Sequence, residues 1–167
     1  IHEFLLDNVT EGSLKHVGMH AVNSLRMEKA YRHWGHDISD EETPLEAGLG
    51  FSVAWDKPGG FIGKDTLLRQ RDKGIRKRLA QFKLNDPGPL LYHNEPIFRN
   101  GAVTGYVTSG MYGHALGGAV GLGYVSNADG VSDDFIAEGQ FEIGVAGVKY
   151  RADASLRPLY DPKNKRI

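Results

Sequence analysis

The spacing of hydrophobic and polar positions changes near residue 75 of this 167-residue chain. Ahead of that point, Val17, Ala21, Leu25 and Glu28 follow steps of four, four and three. This spacing stacks their side chains on one stripe and predicts a helix over about residues 17–31. A second helix is predicted over about residues 64–73, with Asp65 near its N-terminus and Gly74 supplying a stop. Between them, Phe51, Val53 and Trp55 alternate with Ser52, Ala54 and Asp56, the pattern of a strand with one aromatic face, and Pro58-Gly59-Gly60 breaks it. Beyond residue 75 the sequence predicts short extended segments at residues 77–84, 95–99, 102–108, 119–125, 140–146 and 148–156. Asn100-Gly101 joins two of them, and both residues tolerate positive φ, so a two-residue hairpin is expected there. Short strands between regular turns point to an antiparallel barrel or sandwich.

One position breaks the first pattern. Glu28 continues an apolar stripe, and an unpaired buried charge is costly. It is therefore either lifted into solvent or paired with Arg32 one turn on, or it faces a pocket as a ligand group. A carboxylate in the last position accepts two parallel hydrogen bonds from a ligand with adjacent N–H groups, as on the edge of a pterin or guanine.

Composition narrows the classes. A formal net charge of -1 and a pI near 6.7 give no electrostatic footprint for nucleic acid or an anionic membrane. Arg76-Lys77-Arg78 is short and reads as a solvated strand entrance. The absence of cysteine removes disulfides and thiolate ligands and fits a reducing compartment. No apolar stretch approaches the roughly 20 residues that span a bilayer, and no signal-peptide pattern opens the chain, so a soluble protein is expected. The chain begins at Ile1, which agrees with a portion of a longer protein.

Other candidate chemistry is weaker. His33 and His36 could share a helical face, but zinc needs three or four ligands and no third is suggested nearby, so no metal site is expected. Residues 60–64 imitate a phosphate loop only superficially: Pro58 stands at the first required glycine, and Asp65 replaces the magnesium-binding hydroxyl. The glycines of residues 117–123 imitate a dinucleotide fingerprint, yet more strand pattern follows and no helix; barrel turns explain them better. Ser109 with His114 lacks a third partner for a hydrolase triad.

Several ordered motifs carry a resemblance. Ser24-Leu25-Arg26-Met27-Glu28, Trp34-Gly35-His36-Asp37-Ile38 and Thr43-Pro44-Leu45-Glu46-Ala47-Gly48-Leu49-Gly50-Phe51 come first. Phe61-Ile62-Gly63-Lys64-Asp65, Gly105-Tyr106-Val107-Thr108-Ser109-Gly110, Gly123-Tyr124-Val125 and Pro158-Leu159-Tyr160-Asp161-Pro162 follow. Together they resemble the glycine-cleavage T-protein (aminomethyltransferase) family, and more closely the folate-binding C-terminal part of dimethylglycine and sarcosine dehydrogenases and oxidases.

The resemblance implies an α+β chain. Residues 1–75 would be the end of the T-protein folate-binding domain, helices plus a strand, and residues 76–167 a C-terminal antiparallel β-barrel. It implies tetrahydrofolate as cofactor, with FAD in a separate domain where the parent is a dehydrogenase. The mechanism it implies is the parent's: an amine substrate is oxidised to an iminium, and tetrahydrofolate captures the one-carbon unit as 5,10-methylene-tetrahydrofolate. The family's pterin-binding Glu falls on Glu28, its basic residue for the folate tail on Lys57 in place of Arg, and a channel-wall aromatic on Tyr160. Trp34 and Tyr31 either stack on the pterin or simply pack. The family's catalytic Asp belongs to the region preceding this chain, so no catalytic residue is assigned here. Partners implied are a reduced folate and the remaining domains of the parent, with no nucleic acid and no membrane. The compartment is cytoplasmic, or the mitochondrial matrix in a eukaryote. Two other readings stay open: a folate-dependent demethylase of another methylated substrate, and a non-catalytic regulatory or assembly module of the same fold.

Overall fold

The computed structural model describes every residue except Glu11 and Ile167. A short helix α1 (His2–Asp7) and helix α2 (Met19–Glu28) open the chain, and helix α3 (Lys64–Lys73) follows a long irregular segment. The strands are β1 (Lys77–Leu84), β2 (Pro96–Arg99), β3 (Ala102–Gly113), β4 (Gly118–Ser126), β5 (Phe141–Val145) and β6 (Val148–Ser155), with helix α4 (Asp133–Ala137) between β4 and β5. They close into an antiparallel barrel in the order β1-β4-β3-β2-β5-β6. No helix among the described residues is long and apolar enough to cross a membrane.

The barrel follows from alternation on β1 and β4. Ala80, Phe82 and Leu84 point inward with Ala119 and Val125, meeting Ile97, Val107, Phe141 and Ile143 in one core. Leu79, Leu122 and Tyr124 point outward and pack on Met27 and Ala30 at the end of α2. β4 is thus buried on both faces, and glycine fills inward positions where the strands crowd. A Cβ on Gly123 would lie 2.6 Å from both Ile97 Cδ1 and the Tyr106 carbonyl oxygen. Gly117 alone of that glycine run has the positive φ of a turn. Inward packing, and not turn geometry, accounts for Gly121 and Gly123.

α2 begins after Gly18 and ends at Glu28, shorter than the periodicity predicted. The stop is a Schellman motif: Ala30 takes φ 53°, its N–H donates to the Met27 carbonyl at 3.0 Å, and the Tyr31 N–H reaches the Arg26 carbonyl at 2.8 Å. The expected strand over residues 51–56 does not form. Gly50–Ser52 is a 3-10 turn in which Ser52 and Val53 N–H groups bond back to Leu49 and Gly50, and Phe51 is 85% exposed. The alternation is present in sequence, but a closed barrel has no edge for a further strand to join, so local hydrogen bonds win. Nor is Arg76-Lys77-Arg78 a free solvated run: Lys77 pairs with Glu42 and Arg78 with Asp133, each at 2.8 Å.

Asn100 and Gly101 have φ of 51° and 85°, as the hairpin between β2 and β3 requires. Ala146 and Gly147 repeat this geometry between β5 and β6, with φ of 50° and 82°. There the first position is occupied by alanine, whose Cβ is strained in the left-handed region. Ala146→Asn is expected to raise stability by about 1 kcal/mol, read as a higher urea midpoint at unchanged slope.

Candidate functional site

The last turn of α2 is held against the outside of the barrel by polar contacts as well as by Met27. Ser24 Oγ donates to the Tyr112 carbonyl at 2.7 Å. Buried Gln81 of β1 donates through Nε2 to the Met27 and Glu28 carbonyls at 2.5 and 3.2 Å, and its Oε1 accepts from the Leu159 N–H at 2.6 Å. Two carbonyls at the helix end and the C-terminal segment are joined by one side chain.

Glu28 is 4% exposed. Its Oε1 accepts from the backbone N–H of Ala115, in the β3–β4 turn, at 2.5 Å. Arg32 does not pair with it; that guanidinium donates to the Ala47 and Ala30 carbonyls, and burial lowers its pKa from the usual value. Oε2 has no hydrogen-bond partner among the described residues. Glu28 is thus a buried carboxylate with one oxygen fixed and the other available, an acceptor for a ligand edge that carries N–H groups.

Beside it, Lys29 Nζ donates to Asp161 Oδ2 at 3.2 Å, Asn164 Oδ1 at 3.0 Å and the Arg166 carbonyl at 2.5 Å. The Asp161 carboxylate also accepts from the Lys165 and Arg166 N–H groups at 2.8 and 2.7 Å. Burial opposes its ionisation, but these two backbone donors and the Lys29 ammonium outweigh it and hold the carboxyl below its usual range. The segment carrying Tyr160 is thereby tied to the helix end that carries Glu28. The Arg166 guanidinium carbon lies over the Tyr160 ring, 5.8 Å from its centroid.

The other expected ligand residues lie elsewhere. Trp34 is 69% exposed, in a small loop closed by a bridge to Ile38. Lys57 lines a cavity of about 660 Å³ with Pro44, Phe61 and Leu67, and Glu28, Trp34 and Tyr160 do not line it. The structure ties the segments of Glu28 and Tyr160 together through Lys29 and Asp161, and Lys57 lines a cavity that neither borders. Among the described residues, no three metal-ligating side chains cluster, and the His33 and His36 rings lie 4.7 Å apart, tilted by 53°.

Three residues escaped the sequence reading. Asp37 is fully buried: Oδ2 accepts from Arg26 Nη1 at 2.8 Å and the His33 N–H at 2.9 Å, and Oδ1 from Thr108 Oγ1 at 2.6 Å. Tyr124 donates to its carbonyl at 2.9 Å, and burial, with the nearby Glu42 and Asp37 carboxylates, pushes that phenol well above its ordinary pKa. An acid inside a motif of aromatic and glycine residues was the available signal. Gln81 and Lys29 carried none, because their partners are distant in sequence.

Comparison with known proteins gives the context. Residues 77–161 match the family model of the glycine cleavage T-protein C-terminal barrel domain, and residues 1–57 that of the GCVT N-terminal domain. Over 154 residues the chain is 44% identical to 4-methylaminobutanoate oxidase (formaldehyde-forming) of Paenarthrobacter nicotinovorans, covering 92% of this chain and 18% of that protein. It is 39% identical to mitochondrial sarcosine dehydrogenase of Homo sapiens, covering 92% and 17%. It is also 40% identical to the mitochondrial pyruvate dehydrogenase phosphatase regulatory subunit of Mus musculus, covering 87% and 18%. The chain therefore spans less than a fifth of the length of these three relatives. The solved structure of glycine cleavage system aminomethyltransferase T from Bartonella henselae matches with a TM-score of 0.75 at 25% identity, over 92% of this chain and 42% of that one.

Two outcomes follow for the clamp. Gln81→Leu leaves the Leu159 N–H and two helix carbonyls without their partner, and is expected to cost about 2–4 kcal/mol in chemical denaturation. A depressed carboxyl contributes stability that is present above its unfolded value, near 4, and is lost as pH falls through the lower folded value. Amide-exchange protection at Lys165 and Arg166 is accordingly expected to persist at about pH 5 and to vanish on acidification below the ordinary carboxylate range.

Proposed function

This chain belongs to the glycine cleavage T-protein family, and from that premise we propose that it is the folate-holding portion of a longer enzyme that moves one-carbon units from methylated amines. The observation that carries the proposal is Glu28, a buried carboxylate with one oxygen fixed by Ala115 and the other unclaimed among the described residues. The residues fit a reduced folate, since its pterin edge presents the adjacent N–H donors that such a carboxylate accepts.

In this reading Glu28 binds the pterin edge, and the Gln81 and Ser24 contacts hold the helix end that presents it. Tyr160 walls the channel, held close by the Lys29 and Asp161 contacts, Lys57 meets the folate tail, and Trp34 stacks on the pterin. Bound folate would supply the nucleophilic nitrogens that take up a one-carbon unit. The contribution of this chain is orientation, which raises effective concentration, more than acid–base chemistry. The catalytic Asp, any FAD domain and the amine site belong to other parts of the parent. We place the unit boundary at residues 75 and 76, and the parent in the cytoplasm, or in the mitochondrial matrix of a eukaryote.

A second reading, a regulatory module that has kept the fold, is favoured by the 40% identity to the phosphatase regulatory subunit. Turnover of methylated amines by the full-length protein separates the two. Calorimetric titration of that protein with folinic acid tests the site. Glu28→Gln keeps the shape but removes the charge, and is expected to weaken binding by about 10- to 100-fold, the equivalent of about 1.5–3 kcal/mol. Unchanged affinity in a folded variant removes Glu28 from the site.

A further inference from the structure

A cavity of about 500 Å³ lies on another side of α2 from the Glu28 carboxylate, which does not line it. Met19, His20, Asn23 and Arg26 form the helical wall, with Met19, Asn23 and Arg26 at steps of four and three defining a separate stripe; Arg26 is about 200° around the helix from Glu28. The volume is that of a small-molecule site. Its lining holds Arg26 and four of the chain's seven histidines, and no Asp or Glu. With no carboxylate in the lining to compete for them, unused N–H donors there favour a ligand that brings its own acceptor oxygens.

Two groups in the lining have donors to spare. Arg26 is held rigidly: Nε donates to Asn23 Oδ1 at 3.0 Å, and Nη1 to the Tyr31 carbonyl at 3.1 Å and to Asp37 Oδ2 at 2.8 Å. These bonds use three of its five N–H groups, and the two on Nη2 have no acceptor among the described residues. Ser109, from the Thr108-Ser109-Gly110 stretch of β3, is 6% exposed. Its hydroxyl also has no partner among the described residues, and Ser109 lines the cavity. A buried hydroxyl from β3 and a pre-oriented guanidinium edge from α2, lining the same cavity, are donors of the kind that a carboxylate accepts. Leu91, Tyr92 and Met111 give the rest of the wall an apolar and aromatic character. Because Asp37 already balances the Arg26 charge, the site suits a monoanion better than a phosphate dianion.

We propose that this cavity binds a small carboxylate carried on an aromatic or apolar body. The carboxylate accepts from Arg26 Nη2 and the Ser109 hydroxyl, and the body rests on Leu91, Tyr92 and Met111.

The probes are sodium benzoate, benzamide as its neutral isostere and inorganic phosphate, each titrated calorimetrically into the protein. Benzoate is expected to bind saturably, at least about tenfold tighter than benzamide or phosphate. Ser109→Ala, which breaks no hydrogen bond among the described residues, is expected to weaken benzoate by about threefold or more at an unchanged melting temperature. Arg26→Lys is expected to weaken it further, and if loss of the Asp37 pairing unfolds that variant, Ser109→Ala alone decides. Absence of saturable benzoate binding, equal affinity for benzamide, tighter binding of phosphate, or unchanged affinity in Ser109→Ala would each overturn the proposal.

Discussion

The Glu28 side of the molecule depends on one buried amide. A closed barrel has spent its backbone hydrogen bonds on neighbouring strands, so it has little main chain left with which to grip a helix. A helix, in turn, ends with carbonyls that lack partners. Gln81 answers both needs, because a primary amide has donors and an acceptor on one short side chain. Its Nε2 takes the last carbonyls of α2 and its Oε1 takes the N–H of Leu159, so helix and C-terminal segment are fixed to the same point on β1. Met27 and Ala30 fill the space around the clamp with Leu79, Leu122 and Tyr124, and exclude the water that would compete for it.

The same arrangement explains why β4 is built as it is. A strand covered on one face by the barrel interior and on the other by α2 must be apolar throughout, and small wherever the opposite wall comes close. Val120, Leu122 and Tyr124 meet the helix side, while Ala119, Gly121 and Gly123 face inward. The result looks like a nucleotide-binding glycine run in sequence, although its cause is packing.

The barrel was legible because its signals are local. β1 and α3 fall where the pattern put them, and the turn residues Asn100 and Gly101 have the φ values that their chemistry favours. The segment at residues 51–56 misled because alternation reports a potential strand without reporting whether a partner edge exists. Helix α4 was missed although Ser132 caps it, accepting from the Phe135 N–H at 3.0 Å, because five residues are too few to display a period. For the site, Glu28 stood out as a charge on an apolar stripe, and the structure buries it. Gln81 looked like an ordinary outward-facing polar residue of β1, and nothing local distinguishes a residue facing water from one facing a helix.

α2 presents three different faces. Ser24, Met27 and Glu28 meet the barrel, while Asn23 and Arg26 line the cavity rich in histidine. The remaining stripe, Ala21 and Leu25, is exposed, as is Val17 just before the helix, although the spacing of the three is that of a core face. Glu28 shares this stripe by helical geometry but differs in burial, because the turn between β3 and β4 reaches the last turn of the helix and no further. The carboxylate therefore stands where a covered surface meets an open apolar one. Ala115 fixes one of its oxygens from the covered side, and the other has no partner among the described residues, so the cost of desolvating this acceptor is only partly repaid within the chain.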